Sequence, residues 1–201
     1  MKKLILKTAL ITLASVLGAI ILLVTALSLF APKTMSNYFY GMGNEKLSVW
    51  YMEKAYNKSG DIADLESLIF KANESADHNR VVKYSAIFVN REDFKEFAES
   101  QETGAGMSYI ELVYGNYALS LYYTGANDSD IFAVADKTVE EDYTAYNAYS
   151  SLVYGCSETD LGFLNALKTR LEELKIEFIN NANLDADLNC VSLMINNAKG
   201  E

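Results

Sequence analysis

Residues 8–30, TALITLASVLGAIILLVTALSLF, constrain this chain more than any other stretch, because the run holds no charged residue and is closed by Ala31 and Pro32. About 20 apolar residues cross the roughly 30 Å hydrocarbon layer of a bilayer as a helix, so this run is long enough to span. Lys2, Lys3 and Lys7 precede it, while Lys33 beyond it is met by Glu45 and Lys46. That lysine excess on the short N-terminal side predicts a cytoplasmic N-terminus, with residues from 34 onward across the membrane. A cleaved signal peptide is the rival reading. Its apolar core usually has only about 7–15 residues, however. Ala26 and Ser28 offer a small-residue cleavage pattern, but a cut after Ala31 would leave Pro32 next. With no cysteine after the run and no second run of its length, the expectation is a single-pass signal-anchor rather than a lipoprotein or a multi-pass protein. Ala14 with Gly18, and Ser15 with Ala19, set small residues four apart, a spacing that lets two membrane helices approach and self-associate.

Residues 34–201 have a different character. All 27 acidic residues lie there but only 13 of the 17 basic ones, a balance of about −14. Such a surface is repelled by nucleic acid and anionic lipid, which argues against both as partners. The charge either keeps the domain soluble or meets a basic partner. Length suits one compact domain or a short repeat array.

Proline is confined to Pro32, and apolar residues recur at spacings of three and four, the helical signal. Gly60, Gly125 and Gly155 each follow such a run as C-terminal caps would, with Asp61, Asp128 and Ser157 as N-caps and Ser157–Asp160 resembling a capping box. The pattern predicts helices over 34–41, 44–58, 62–74, 77–89, 91–101, 107–124, 129–138, 140–154, 158–180 and 184–198. Thr103, Gly104, Ala105 and Gly106 read as a hinge. The expected domains are therefore 1–33, a cytoplasmic tip and signal-anchor; 34–102, an N-terminal helical-hairpin half; and 103–201, a C-terminal half. Short connections make successive helices antiparallel neighbours.

Gly43 in a turn, then Ser48 and Ala55 on the next helix, resemble the second half of a tetratricopeptide repeat, with Phe39 or Tyr40 as the aromatic of its first helix. Tyr114, Tyr117, Ala118, Leu121, Tyr122 and Gly125 form a second partial match. The two turn glycines are 82 residues apart, not a multiple of the repeat's 34, and no proline ends either match. The resemblance implies an all-α, helical-hairpin (TPR-like) solenoid behind a single transmembrane helix. It also implies a scaffold that binds a protein or peptide.

Tyrosines crowd the middle of the chain. Tyr114, Tyr117, Tyr122, Tyr143, Tyr146 and Tyr149 are the candidate partner-binding residues, since tyrosine offers contact area with a polar tip. The competing expectation is that they pack between hairpins. Tyr38, Phe39 and Tyr40, just past the anchor, either mark the membrane surface or begin the first packed helix. Leu164, Leu167, Leu171, Leu174 and Phe178 form one apolar seam, and Leu184, Leu188, Val191 and Ile195 another. The two are expected to bury each other, or else to pair with another copy. Glu140, Glu141 and Asp142 are expected to open a helix. Asn57, Asn73 and Asn127 fit the N-glycosylation pattern.

Catalytic and metal motifs are absent: no phosphate loop, no HExxH, no GxSxG, and only one histidine, His78. No cofactor is expected. Cys156 and Cys190 are expected to stay unbridged, about 20 Å or more apart along a terminal hairpin. The reading is a membrane-anchored, extracytoplasmic adaptor without catalysis. A cell-wall polysaccharide binder or enzyme, and a self-assembling structural membrane protein, are the alternatives.

Overall fold

The computed structural model describes residues 2–103 and 107–200. It is helical throughout, and no strand occurs among the described residues. The chain forms two compact units, Met1–Ser75 and Ala76–Glu201. The boundary expected at residue 103 falls inside the second unit, where α5 (His78–Val89) packs on α7 (Tyr109–Tyr123) across it. The expected hinge at residues 104–106 lies outside the described residues.

The first unit starts with α1 (Lys2–Phe30). Its segment Lys7–Phe30 is long and apolar enough to cross a membrane, and none of its most apolar stretch is buried against protein. By length and composition it suits an anchor or a signal sequence. Ala31 alone separates it from α2 (Pro32–Gly41), which places Pro32 in the first turn, where a missing N–H costs nothing. Then α3 (Glu45–Ser59) and α4 (Ile62–Glu74) fold back in turn. Asn44 caps α3 by accepting from the Leu47 amide, and Asp61 caps α4 by accepting from Ala63 at 2.7 Å. Gly60 ends α3 in the left-handed region at φ +65°, which a side chain would strain.

Met35, Val49, Met52, Leu65, Leu68 and Ile69 make the core of this unit. Ser36 and Ser48 are fully buried at the α2–α3 contact, and the Ser36 hydroxyl donates to the Ser48 carbonyl at 2.8 Å. Small side chains let these backbones close, and the pairing satisfies what would be an expensive buried hydroxyl. Lys33 at the start of α2 reaches Asp64 in α4 at 2.6 Å, and Ser59 donates to the same carboxylate at 2.7 Å. Burial alone would raise the Asp64 pKa, but the Lys33 and Ser59 hydrogen bonds outweigh it and hold the carboxyl below its ordinary value.

The second unit continues with α6 (Phe94–Glu99), α7, α8 (Asp128–Ala135), α9 (Ala148–Gly155), α10 (Leu161–Glu177) and α11 (Ala182–Lys199). The two leucine seams are spent on this unit's own core: Leu164, Leu167, Leu171 and Leu174 are buried, as are Leu184, Val191 and Ile195 on the partner helix α11. Gly115 lets α7 and α9 approach closely, since a Cβ there would meet the Ser151 hydroxyl at 2.4 Å. Gly155 is packed under Leu119 inside α9 rather than serving as a cap beyond it.

One expected helix is shortened. Residues 140–147 do not begin a helix with 148–154, so Glu140, Glu141 and Asp142 sit in a loop and not at a helix N-terminus. Asn147 is the true N-cap, with its side-chain oxygen accepting from the amides of Tyr149 and Ser150. Upstream, the Asn181 side-chain amide donates to the Tyr143 carbonyl and the Thr138 hydroxyl accepts from the Ala148 amide. Side chains thus satisfy the loop backbone in place of helical hydrogen bonds. Asp160, not Ser157, caps α10, and the capping box falls at Ser108 and Glu111 of α7.

Cys156 and Cys190 are both free. Cys156 follows α9, which packs against α11, and Cys190 packs against the same core cluster that holds Cys156.

Candidate functional site

The six candidate tyrosines do not form one surface. Tyr143 and Tyr149 are in the core, at 1% and 0% exposure, and are corrected from partner-binding to structural residues. The Tyr143 hydroxyl donates to Asp187, an otherwise buried carboxylate that also accepts from the Ser150 hydroxyl at 2.9 Å. Burial pushes the Tyr143 pKa well up, and the Asp187 charge adds to that, so the phenol stays a donor. The Tyr149 hydroxyl donates to Asp136 at 2.7 Å and accepts from Arg170 at 3.1 Å, while Arg170 bridges to Asp136 at 2.8 Å.

The other four lie at or near the surface. Tyr122 is half-buried, accepting from the Ser157 amide at 3.1 Å and donating to Asp160 at 3.2 Å, which pins the loop before α10. Tyr114 and Tyr117 are half-buried, and burial raises both pKa values. Tyr146 is 44% exposed, and so is its neighbour in space, Tyr154, at 68%. Both line a hollow of about 210 Å³ together with Met107, Leu112, Asn147 and Ser150. Glu111 belongs to this hollow and also to an adjoining one of about 480 Å³ that carries Glu140, Glu141, Asp142, Lys95 and Lys137.

The charge along this double hollow is uneven. Glu111 is engaged on both oxygens, accepting from the Ser108 amide at 2.8 Å and from the Thr144 hydroxyl at 2.6 Å. Glu140 pairs with Lys137 at 3.0 Å. Glu141 and Asp142 are exposed and make no ion pair among the described residues, so the lining of the larger hollow is net acidic. An apolar pit flanked by two tyrosine rings therefore opens onto a negative rim.

Behind the pit sits Asp187, 3% exposed and, among the described residues, with no lysine or arginine acting on it. Burial pushes its carboxyl above its ordinary value, and hydrogen bonds from Tyr143 and Ser150 offset part of that rise. The sequence reading missed this carboxylate. A polar residue on the apolar stripe between Leu184 and Leu188 was the available signal. It also missed that His78 Nδ1 stands 3.2 Å from the Ser120 hydroxyl. That serine is 1% exposed, while His78 is half-buried and stacks on the exposed Tyr123 ring at 4.6 Å, so the pair packs the α5–α7 contact. Among the described residues no group of three or more His, Cys, Asp or Glu side chains is placed to hold a metal ion.

Fold and site together define an all-helical protein with one N-terminal apolar helix and a tyrosine-flanked groove in its second unit. No known protein family, no curated protein sequence and no solved structure matches the chain.

Proposed function

We propose that the chain is a single-pass adaptor, anchored by residues 8–30 with its N-terminus in the cytoplasm, whose extracytoplasmic TPR-like helical-hairpin domain binds a protein or peptide and performs no catalysis. The observation that carries this reading is the paired hollow in the second unit. Its apolar part, under Tyr146 and Tyr154, suits one inserted side chain, and its rim of Glu140, Glu141 and Asp142 suits adjacent basic residues. The volume is small, so affinity would come from a short segment of a partner rather than from an enclosed small molecule. Engagement of Glu111 by Ser108 and Thr144, and of Glu140 by Lys137, supports recognition over acid–base chemistry, because those carboxylates are already committed. The burial of both leucine seams within the second unit counts against assembly through α10.

Photoreactive side chains placed at 146, 154 and, as control, the 73% exposed Ile179 test the surface in the intact membrane protein. A discrete adduct from 146 and 154 that is lost on Glu141→Lys/Asp142→Lys, and absent from 179, is the expected result. Identical labelling at all three positions overturns the assignment. Protease access to a C-terminal tag on intact cells tests the orientation, with digestion expected before lysis.

A further inference from the structure

The end of α1 is not a free stalk. The Ser28 hydroxyl, within the apolar run, hydrogen-bonds the Tyr51 hydroxyl of α3 at 2.8 Å, and Lys58 of α3 donates to the Phe30 carbonyl at 3.3 Å. Two side chains of α3, one turn and more apart, thus reach the last turn of α1.

The face of α3 turned that way is fixed by helical periodicity. Leu47, Trp50, Tyr51, Lys54 and Lys58 fall at i, i+3, i+4, i+7 and i+11, one stripe. Tyr51 is buried under this stripe and stacks on Phe39 at 5.4 Å. Trp50, edge-on to Tyr51 at 4.7 Å, is 41% exposed, and Leu47 is exposed beside it. The Lys54 ammonium lies 3.6 Å over the indole. Phe30, the last residue of α1, is also exposed.

These side chains match the chemistry of one environment. A 24-residue apolar helix is about 36 Å long, against a hydrocarbon layer of about 30 Å, so its last turn emerges where acyl chains give way to headgroups. Tryptophan and tyrosine favour that depth, and lysines place an apolar stem there with the ammonium among phosphates. We infer that the Leu47–Trp50–Lys54–Lys58 face of α3 is a lipid-contact surface that lays the first unit on the outer headgroup region around the anchor. The inference rests on α1 spanning the membrane as proposed above. It adds that the unit following α1 touches lipid and does not hang from a tether.

Trp50 is the chain's single tryptophan, so its fluorescence reports this surface alone. The full chain is reconstituted in phosphatidylcholine vesicles, with flotation to score anchoring and three quenchers to score Trp50: bromines shallow in the acyl chain, bromines deep in it, and aqueous iodide. The expected result is co-flotation, blue-shifted emission, stronger quenching by shallow than by deep bromines, and weak quenching by iodide. Lys54→Glu is expected to float equally while bromine quenching falls and iodide quenching rises. Tyr51→Phe, which removes the clamp hydroxyl and keeps the ring, is expected to act the same way. A chain that floats but shows red emission, quenched by iodide and not by bromolipid, overturns the surface and leaves the anchor standing. A chain that does not float overturns both.

Discussion

Removing the Tyr143 hydroxyl tests the account of the second unit at its most demanding point. Tyr143→Phe keeps a 1% exposed ring in place and deletes one donor to Asp187, itself 3% exposed and without a cation. A hydrogen bond to a charged group contributes about 1.5–3 kcal/mol, and a neutral one about 1 kcal/mol. At neutral pH the variant is therefore expected to lose about 2 kcal/mol. A urea m-value of about 2 kcal/mol/M turns that into a midpoint shift of about 1 M. The pH dependence carries the sharper signature. The folded carboxyl is raised, so the charged form costs stability at neutral pH. That cost is relieved as pH falls from the folded pKa toward the unfolded value of about 3.9. Protonated Asp187 needs Tyr143 less, so the gap between wild type and variant is expected to be smaller at about pH 4, near the ordinary carboxyl value, than at neutral pH. Urea unfolding of both proteins by far-UV circular dichroism at the two pH values gives this double difference. A loss under about 0.5 kcal/mol, or one equal at both pH values, would refute the idea that Tyr143 stabilises a buried charge.

Asp64→Ala is expected to cost about 1–3 kcal/mol, as it strips Lys33 and Ser59 of their acceptor. The Asp64 carboxyl is held low, so its contribution is present above about pH 4 and lost as pH falls through the folded value, which acid titration of the wild type and the variant compares. Gly115→Ala is expected to destabilise by about 1–3 kcal/mol through the clash with Ser151, and adding Ser151→Gly should recover most of it in thermal melts. Burial pushes the Cys156 thiol up to about 11 and raises Cys190 as well, so iodoacetamide at pH 7.5 should label the native chain slowly and the urea-unfolded chain fast.

Much of the helix pattern was legible because apolar spacing and caps agree locally. Asp61, Gly60 and the 164–174 and 184–195 seams each sit where periodicity puts them. The misread segment, 140–147, shows the limit. Its acids favour a helix start, but Tyr143 is drawn into the core by a carboxylate 44 positions away, and Asn147 offers the better cap. The groove was half legible for the same reason. Composition marks tyrosines as a group, whereas burial divides them. Tyr143 meets the buried Asp187 of α11 and Tyr149 meets Asp136 and Arg170, while Tyr146 and Tyr154 are exposed. The packing of α9 against α11 likewise depends on contacts that spacing along one hairpin does not contain.

Ala31, the single residue between α1 and α2, leaves no flexible linker between the apolar helix and the helices that follow it. A flexible linker isolates a domain from the lean of its anchor. Here the Ser28–Tyr51 and Lys58–Phe30 hydrogen bonds tie α3 to the end of α1. An apolar helix longer than the bilayer it occupies leans to fit, and the lean changes with thickness. Were α1 to span a bilayer as proposed, a thinner one would tilt α2–α4 along with it, converting a few ångströms of lipid thickness into an angle at the end of α4.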